Sequence, residues 1–169
     1  MAKYEKWLGA GLGWLLTGNP IGGFLGFIAG TFVEPAPKPF DADGPTGVSE
    51  FEANLMVLAS HLIKIDGTVS HAEIEFTENF LNTYFVPQFA AERRRIFHHC
   101  LQKEYDLNNV CTEIRRYTQP ATRIQVLRFM FDLALSDGEL NERENYFIFK
   151  IAGFLKVNDS DFLKLREEH

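Results

Sequence analysis

Four carboxylates at a repeated spacing are the residues of this chain best suited to chemistry. Asp66 and Glu73 belong to Asp66-Gly67-Thr68-Val69-Ser70-His71-Ala72-Glu73, and Asp137 and Glu144 to Asp137-Gly138-Glu139-Leu140-Asn141-Glu142-Arg143-Glu144. Both stretches read D-G-x-[V/L]-[S/N]-x-x-E. Oxygen donors gathered from two such turns are what a hard divalent cation takes as ligands. The pattern is not an EF-hand, whose calcium loop places glycine sixth with oxygen donors at alternate positions before it, whereas glycine is second here.

A structural reading competes for the same residues. Gly67 and Gly138 suit the left-handed residue that follows a helix. Ser70 and Asn141 suit N-caps, with Glu73 and Glu144 three residues on to close a capping box, and Val69 is placed to staple onto Ile74. The aspartates fit less easily. Asp66 and Asp137 fall at the C-terminal ends of the preceding helices, where the macrodipole disfavours negative charge by about 0.3–1 kcal/mol. Either they bond amides of the following turn, or they join Glu73 and Glu144 around a divalent cation.

Elsewhere the chemistry is sparse. No serine, cysteine or lysine sits in a nucleophile motif and no glycine-rich phosphate loop follows a strand, so the expected function is non-enzymatic. His98 and His99 are adjacent and point about 100° apart on a helix, which prevents them from sharing a metal. His61 reads as a satisfied boundary residue. Cys100 and Cys111 occupy apolar helical positions and read as buried free thiols.

The elements that position the repeat follow from its reach. At a constant offset of 71 residues, Leu58 pairs with Phe129, Leu62 with Leu133, Phe76 with Phe147, Phe80 with Ile151 and Tyr84 with Leu155. The unit is therefore a duplicated helix-turn-helix. Helical periodicity predicts about seven helices from Val48 onward: one through Phe51, Leu55, Leu58 and Leu62, and a second from Ser70 to about Phe85, before Pro87. A third covers roughly 88–104 and a fourth runs through Leu107–Tyr117. A fifth opens at Pro120, a sixth spans 141–155, and a last begins near Asn158 with Asp161 as its capping partner. The fifth is apolar almost all round and is expected to be the buried central helix. No strand-like alternation is visible, so the fold class is all-α.

The 169 residues carry a formal charge of −6, and from Val48 onward 14 Lys and Arg stand against 19 Asp and Glu. An acidic surface repels a polyanion, so nucleic acid is not an expected partner. Arg93-Arg94-Arg95 is the one dense basic run and reads as a solvated helix face.

Residues 1–33 differ in kind. Positions 8–33 contain no charged side chain over 26 residues, after Lys3 and Lys6. Such a run is a membrane candidate. Gly9 and Gly13, and Gly22, Gly26 and Gly30, repeat at steps of four, which clears one helix face for close packing in lipid or self-association. Gly18-Asn19-Pro20 interrupts the run, leaving a kinked single span or a re-entrant hairpin. Residues 34–47, with Pro35, Pro37, Pro39 and Pro45, read as an extended spacer, and 48–169 as the folded domain.

The segments "IKIDGTVSHAEIEF" and "ALSDGELNERENYF" resemble the TerB-like domain of tellurite-resistance proteins and of membrane-anchored DnaJ-like co-chaperones of the DjlA type. The opening "KWLGAGLGWLLTGNPIGGFLGFIAG" is similar to the membrane segment of the latter. The resemblance implies an interaction or regulatory domain at the bacterial inner membrane, facing the cytoplasm. It also implies a divalent-cation association, which carries over only to Asp66, Glu73, Asp137 and Glu144. Action on a DnaK-type chaperone requires the His-Pro-Asp of a J domain. That tripeptide does not occur in this chain, so such action is expected only through a module beyond it.

Overall fold

The computed structural model describes residues 39–41 and 45–169. The glycine-rich segment, with Gly9, Gly13, Gly22, Gly26 and Gly30, lies outside the described residues. Among the described residues no helix is long and apolar enough to cross a membrane. Pro39–His169 forms one compact unit.

Seven α-helices make up the unit: α1 (Glu50–Ile63), α2 (His71–Tyr84), α3 (Ala90–Leu101), α4 (Leu107–Tyr117), α5 (Pro120–Ala134), α6 (Glu142–Leu155) and α7 (Asp159–Glu168). The starts of α2, α5, α6 and α7 follow the expected signals, and α1 adds a cap not singled out in the sequence. Ser49 caps α1 in a closed box with Glu52. Pro120 occupies the first turn of α5, and Asn158 caps α7 and also donates to Asp161. A 3₁₀ turn at Pro87–Phe89 leads into α3, and another at Leu135–Asp137 ends α5.

One element departs from the expected spacer. Strands β1 (Pro39–Asp41) and β2 (Pro45–Ser49) pair antiparallel, with an irregular register, and pack on α1. Each strand begins with its proline, the position where a missing backbone donor is tolerated, so the prolines that suggested a spacer also permit a short ribbon.

The centre of the core also differs from expectation. α5 is heavily buried, but α1 is the hub: it contacts α2, α3, α4, α5, α6 and the ribbon. Eleven of its 14 residues are buried, including Leu55, Leu58, Leu62 and the polar Glu52, Ser60 and His61. Each of those three polar residues is satisfied locally. The Ser60 hydroxyl donates to the Val57 carbonyl, His61 Nδ1 lies 2.9 Å from the same carbonyl, and Glu52 is held by Ser49. The Tyr105 amide approaches His61 Nε2 at 3.3 Å, so His61 is indeed a satisfied residue.

The duplicated hairpins α1–α2 and α5–α6 pack crosswise, α1 against α5 and α6, and α2 against α5. Phe129 of α5 packs against both Phe76 and Phe80 of α2, with ring centroids 6.3 and 4.3 Å away. Cys100 and Cys111 are free and buried, and burial pushes the Cys111 thiol up to about 12.

Candidate functional site

The two acidic turns meet because the hairpins cross. α1 ends at Ile63 and caps at Lys64, after which the Gly67 amide donates to the Lys64 carbonyl with Gly67 at φ +78°. α5 ends through its 3₁₀ turn, and the Gly138 amide donates to the Leu135 carbonyl with Gly138 at φ +143°. Both conformations exclude a Cβ at low cost. Gly67→Ala and Gly138→Ala are each expected to lose about 1–2 kcal/mol of stability, read as a lower urea midpoint. Open space surrounds both positions, so the loss tests backbone geometry and not crowding.

Asp66 stands beyond the Lys64 cap and not in the last turn of its helix, which weakens the dipole argument against it. Nor does its recorded bond go to the following turn. Its Oδ2 accepts a hydrogen bond of 2.5 Å from Asn141 Nδ2, 75 residues away in the other copy. The carbonyl oxygen of the same Asn141 side chain accepts from the Arg143 and Glu144 amides at 2.9 and 3.0 Å. One amide thus caps its own helix and ties the second turn to the first, which an ionised aspartate, having no donor, cannot do. Asn141→Asp retains the cap but sets a carboxylate against Asp66. We expect it to cost about 1 kcal/mol at pH 7, and the cost to shrink in 1 M salt.

The glutamates act as the capping pattern anticipated. Glu144 Oε2 accepts from the Asn141 amide at 2.9 Å and Glu73 Oε2 from the Ser70 amide at 3.2 Å. Both side chains are only 3% exposed. Burial raises the Glu73 carboxyl to about 7; the Ser70 amide opposes the rise, while Asp137, Glu144 and Asp66 add to it. Burial likewise raises Glu144, against its Asn141 bond and with help from Asp66 and Asp137. The contact of α2 with the 3₁₀ turn Leu135–Asp137 accounts for this coupling.

The fold therefore brings Asp66, Glu73, Asp137 and Glu144 into one electrostatic field. It does not give them a shared coordination shell as they stand: among the described residues, no three His, Cys, Asp or Glu side chains are placed to hold a metal ion. Both glutamates point their oxygens at helix amides, and a cation would have to compete for them. Val69 is half exposed.

The basic run resolves into three different environments. Arg95 pairs with Glu92, exposed Arg94 pairs with Glu78, and Arg93 is buried at 1% exposure beside Glu52, at 3.4 Å. Sequence reading missed Arg93. A usable signal was present, since Arg93 shares the i, i+3, i+4, i+7 stripe of Ile96, Phe97 and Cys100. His98 is exposed and lies 2.9 Å from Glu78.

A duplicated helical hairpin, crossed on itself and joined at its acidic turns, defines an all-helical domain with a negatively charged facet. Residues 52–167 match the family model of the tellurite resistance protein TerB, and the chain belongs to that family. No curated protein and no solved structure matched the chain.

Proposed function

We propose that this chain is a non-enzymatic interaction and regulatory domain tethered to the bacterial inner membrane through residues 8–33, and that it is the TerB-family portion of a DnaJ-like co-chaperone of a DnaK-type chaperone. The observation that supports an interaction role is the facet itself. Exposed Asp66 and Asp137, backed by the buried carboxylates of Glu73 and Glu144, share one field near half-exposed Val69, and the two aspartates offer a surface complementary to a basic partner segment. The tether rests on the uncharged, glycine-stepped run that precedes the domain. Membrane fractionation of the full chain against Pro39–His169 tests it. The full chain should sediment with membranes and the shorter one should remain in solution, and equal solubility of both would defeat the tether.

A second reading, a divalent-cation-responsive domain, is favoured by one observation: burial first, and the neighbouring Asp66 and Asp137 carboxylates in addition, raise the affinity of Glu73 and Glu144 for positive charge. Calorimetry with calcium, magnesium and zinc separates the two readings. Heat that disappears in the Asp66→Asn/Asp137→Asn variant supports the cation, and no heat at millimolar metal removes it.

A further inference from the structure

The outer face of α6 is aromatic where a surface helix is ordinarily polar. Tyr146 and Phe149 are 63% and 50% exposed, and exposed Gly153 stands on the same face. Gly153 falls about 20° around the helix from Tyr146, with Phe149 on one flank and Lys150 on the other. Glycine is among the poorest residues for a helix interior, and no packing among the described residues calls for it here. No neighbouring atom lies within 4 Å of the place its Cβ would take. A glycine so placed leaves room for a group arriving from outside.

The charges of α6 are divided along its length. Acid gathers at its start, where Asp137, Glu139 and Glu142 are exposed, while from Asn145 to Val157 the only charged residues are Lys150 and Lys156, both exposed. Laid antiparallel on a copy of itself, about a two-fold axis level with the Phe149–Lys150 peptide, the helix is its own complement. Tyr146 comes level with the partner's Gly153, so a ring meets a gap. Glu142 comes within one residue of the partner's Lys156, on the same flank. Phe149 meets the partner's Phe149, already braced by the Phe162 ring of α7 at 5.3 Å. On the other flank, Lys150 keeps its ammonium 5.9 Å from its own Tyr146 ring. It nears the partner's Lys150 only in solvent, where salt screens the repulsion.

We propose that α6 is a docking face for a second copy of this chain, through a two-fold antiparallel contact in which Tyr146 seats on the partner's Gly153 and Glu142 pairs with the partner's Lys156. Such a contact closes after two chains. One pair of 14-residue helices offers less than the roughly 1,200–2,000 Å² of a stable complex, so the dimer is weak and reversible. It does not depend on the tether or on the co-chaperone reading.

The test uses the full chain, oxidised with copper phenanthroline, with disulfide-linked dimer read on a non-reducing gel. Tyr146→Cys and Gly153→Cys are made as separate chains. Native Cys100 and Cys111 are buried, and the parent sets their background. The mixed variants are expected to cross-link at least about fivefold more than either alone, because identical positions lie about 10.5 Å apart along the antiparallel axes and a disulfide spans at most roughly 7 Å between Cα atoms. Glu142→Lys, added to both chains, should lower the mixed yield about threefold, and Lys156→Glu added to that should restore it. Gly153→Leu in the Tyr146→Cys chain fills the seat while favouring the helix. It should cut the mixed yield without lowering the urea midpoint, which separates lost docking from lost folding. A mixed yield no higher than that of either variant alone would overturn the proposal, as would a charge exchange that restores nothing or an unchanged yield in Gly153→Leu. If, besides a missing cross-link, Tyr146→Ser/Phe149→Ser releases the chain from phosphatidylglycerol vesicles, the face is a lipid contact instead.

Discussion

At pH 8, Glu73→Gln is expected to be more stable than the parent by about 1–3 kcal/mol, an unusual outcome for replacing a buried charged residue. The reason is linkage. The Glu73 carboxyl sits near 7 in the folded domain against an ordinary 4.5, so the folded state holds the proton more tightly than the unfolded state does. The stability that this proton confers is fully present below about pH 4.5 and is lost as pH rises through about 7. A displacement of that size corresponds to a loss on the order of 3 kcal/mol. Glutamine still accepts the Ser70 amide in the capping box while carrying no charge against Asp137, Glu144 and Asp66. Its stability should fall less between pH 5 and pH 8 than that of the parent, the remaining decline coming from Glu144 and Glu52, which burial also raises. Urea unfolding at several pH values measures both, and parallel profiles for the two proteins would show that Glu73 is not a seat of the repulsion.

Arg93→Ala should have the opposite effect and a larger one, a loss of about 3–5 kcal/mol at pH 7.5, because it leaves a buried carboxylate without its partner. Glu52 is 6% exposed, and burial already holds its carboxyl above the ordinary value despite Ser49 and Arg93. Removing Arg93 raises it further. The deficit relative to the parent should therefore be smallest below about pH 4.5, where Glu52 is protonated in both states, and should widen as pH rises. Adding Glu52→Gln to Arg93→Ala should recover much of the loss, since glutamine keeps the Ser49 box. A double-mutant cycle without such recovery would place the cost in lost packing alone.

How far these features can be read from the sequence depends on the range over which each is determined. The helices were legible because their signals are local: Pro120, the Ser70, Asn141 and Asn158 caps, and the apolar stripes of α1 and α6. The capping roles of Glu73 and Glu144 were legible for the same reason. What required coordinates was contact between segments far apart in the chain. Nothing in the first turn announces that Asp66 accepts from Asn141. Nothing in Arg93-Arg94-Arg95 announces that the first arginine turns inward toward Glu52, beyond its register with Ile96, Phe97 and Cys100. The prominence of α1 rests on its contacts with five other helices, which no local signal announces. The ribbon β1–β2 was masked by its prolines.

The many-sided contacts of α1 also bear on how the domain is made. Synthesis at roughly 5–20 residues per second delivers α1 first and α6 about 90 residues later, since α1 ends at Ile63 and α6 at Leu155. For roughly 5–20 s the helix on which most of the core packs has only some of its neighbours. During that interval its leucine face is open to the same face on a nascent chain from the next ribosome. Co-translational aggregation should therefore depend on the surface chemistry of α1 more than on that of any helix made after it.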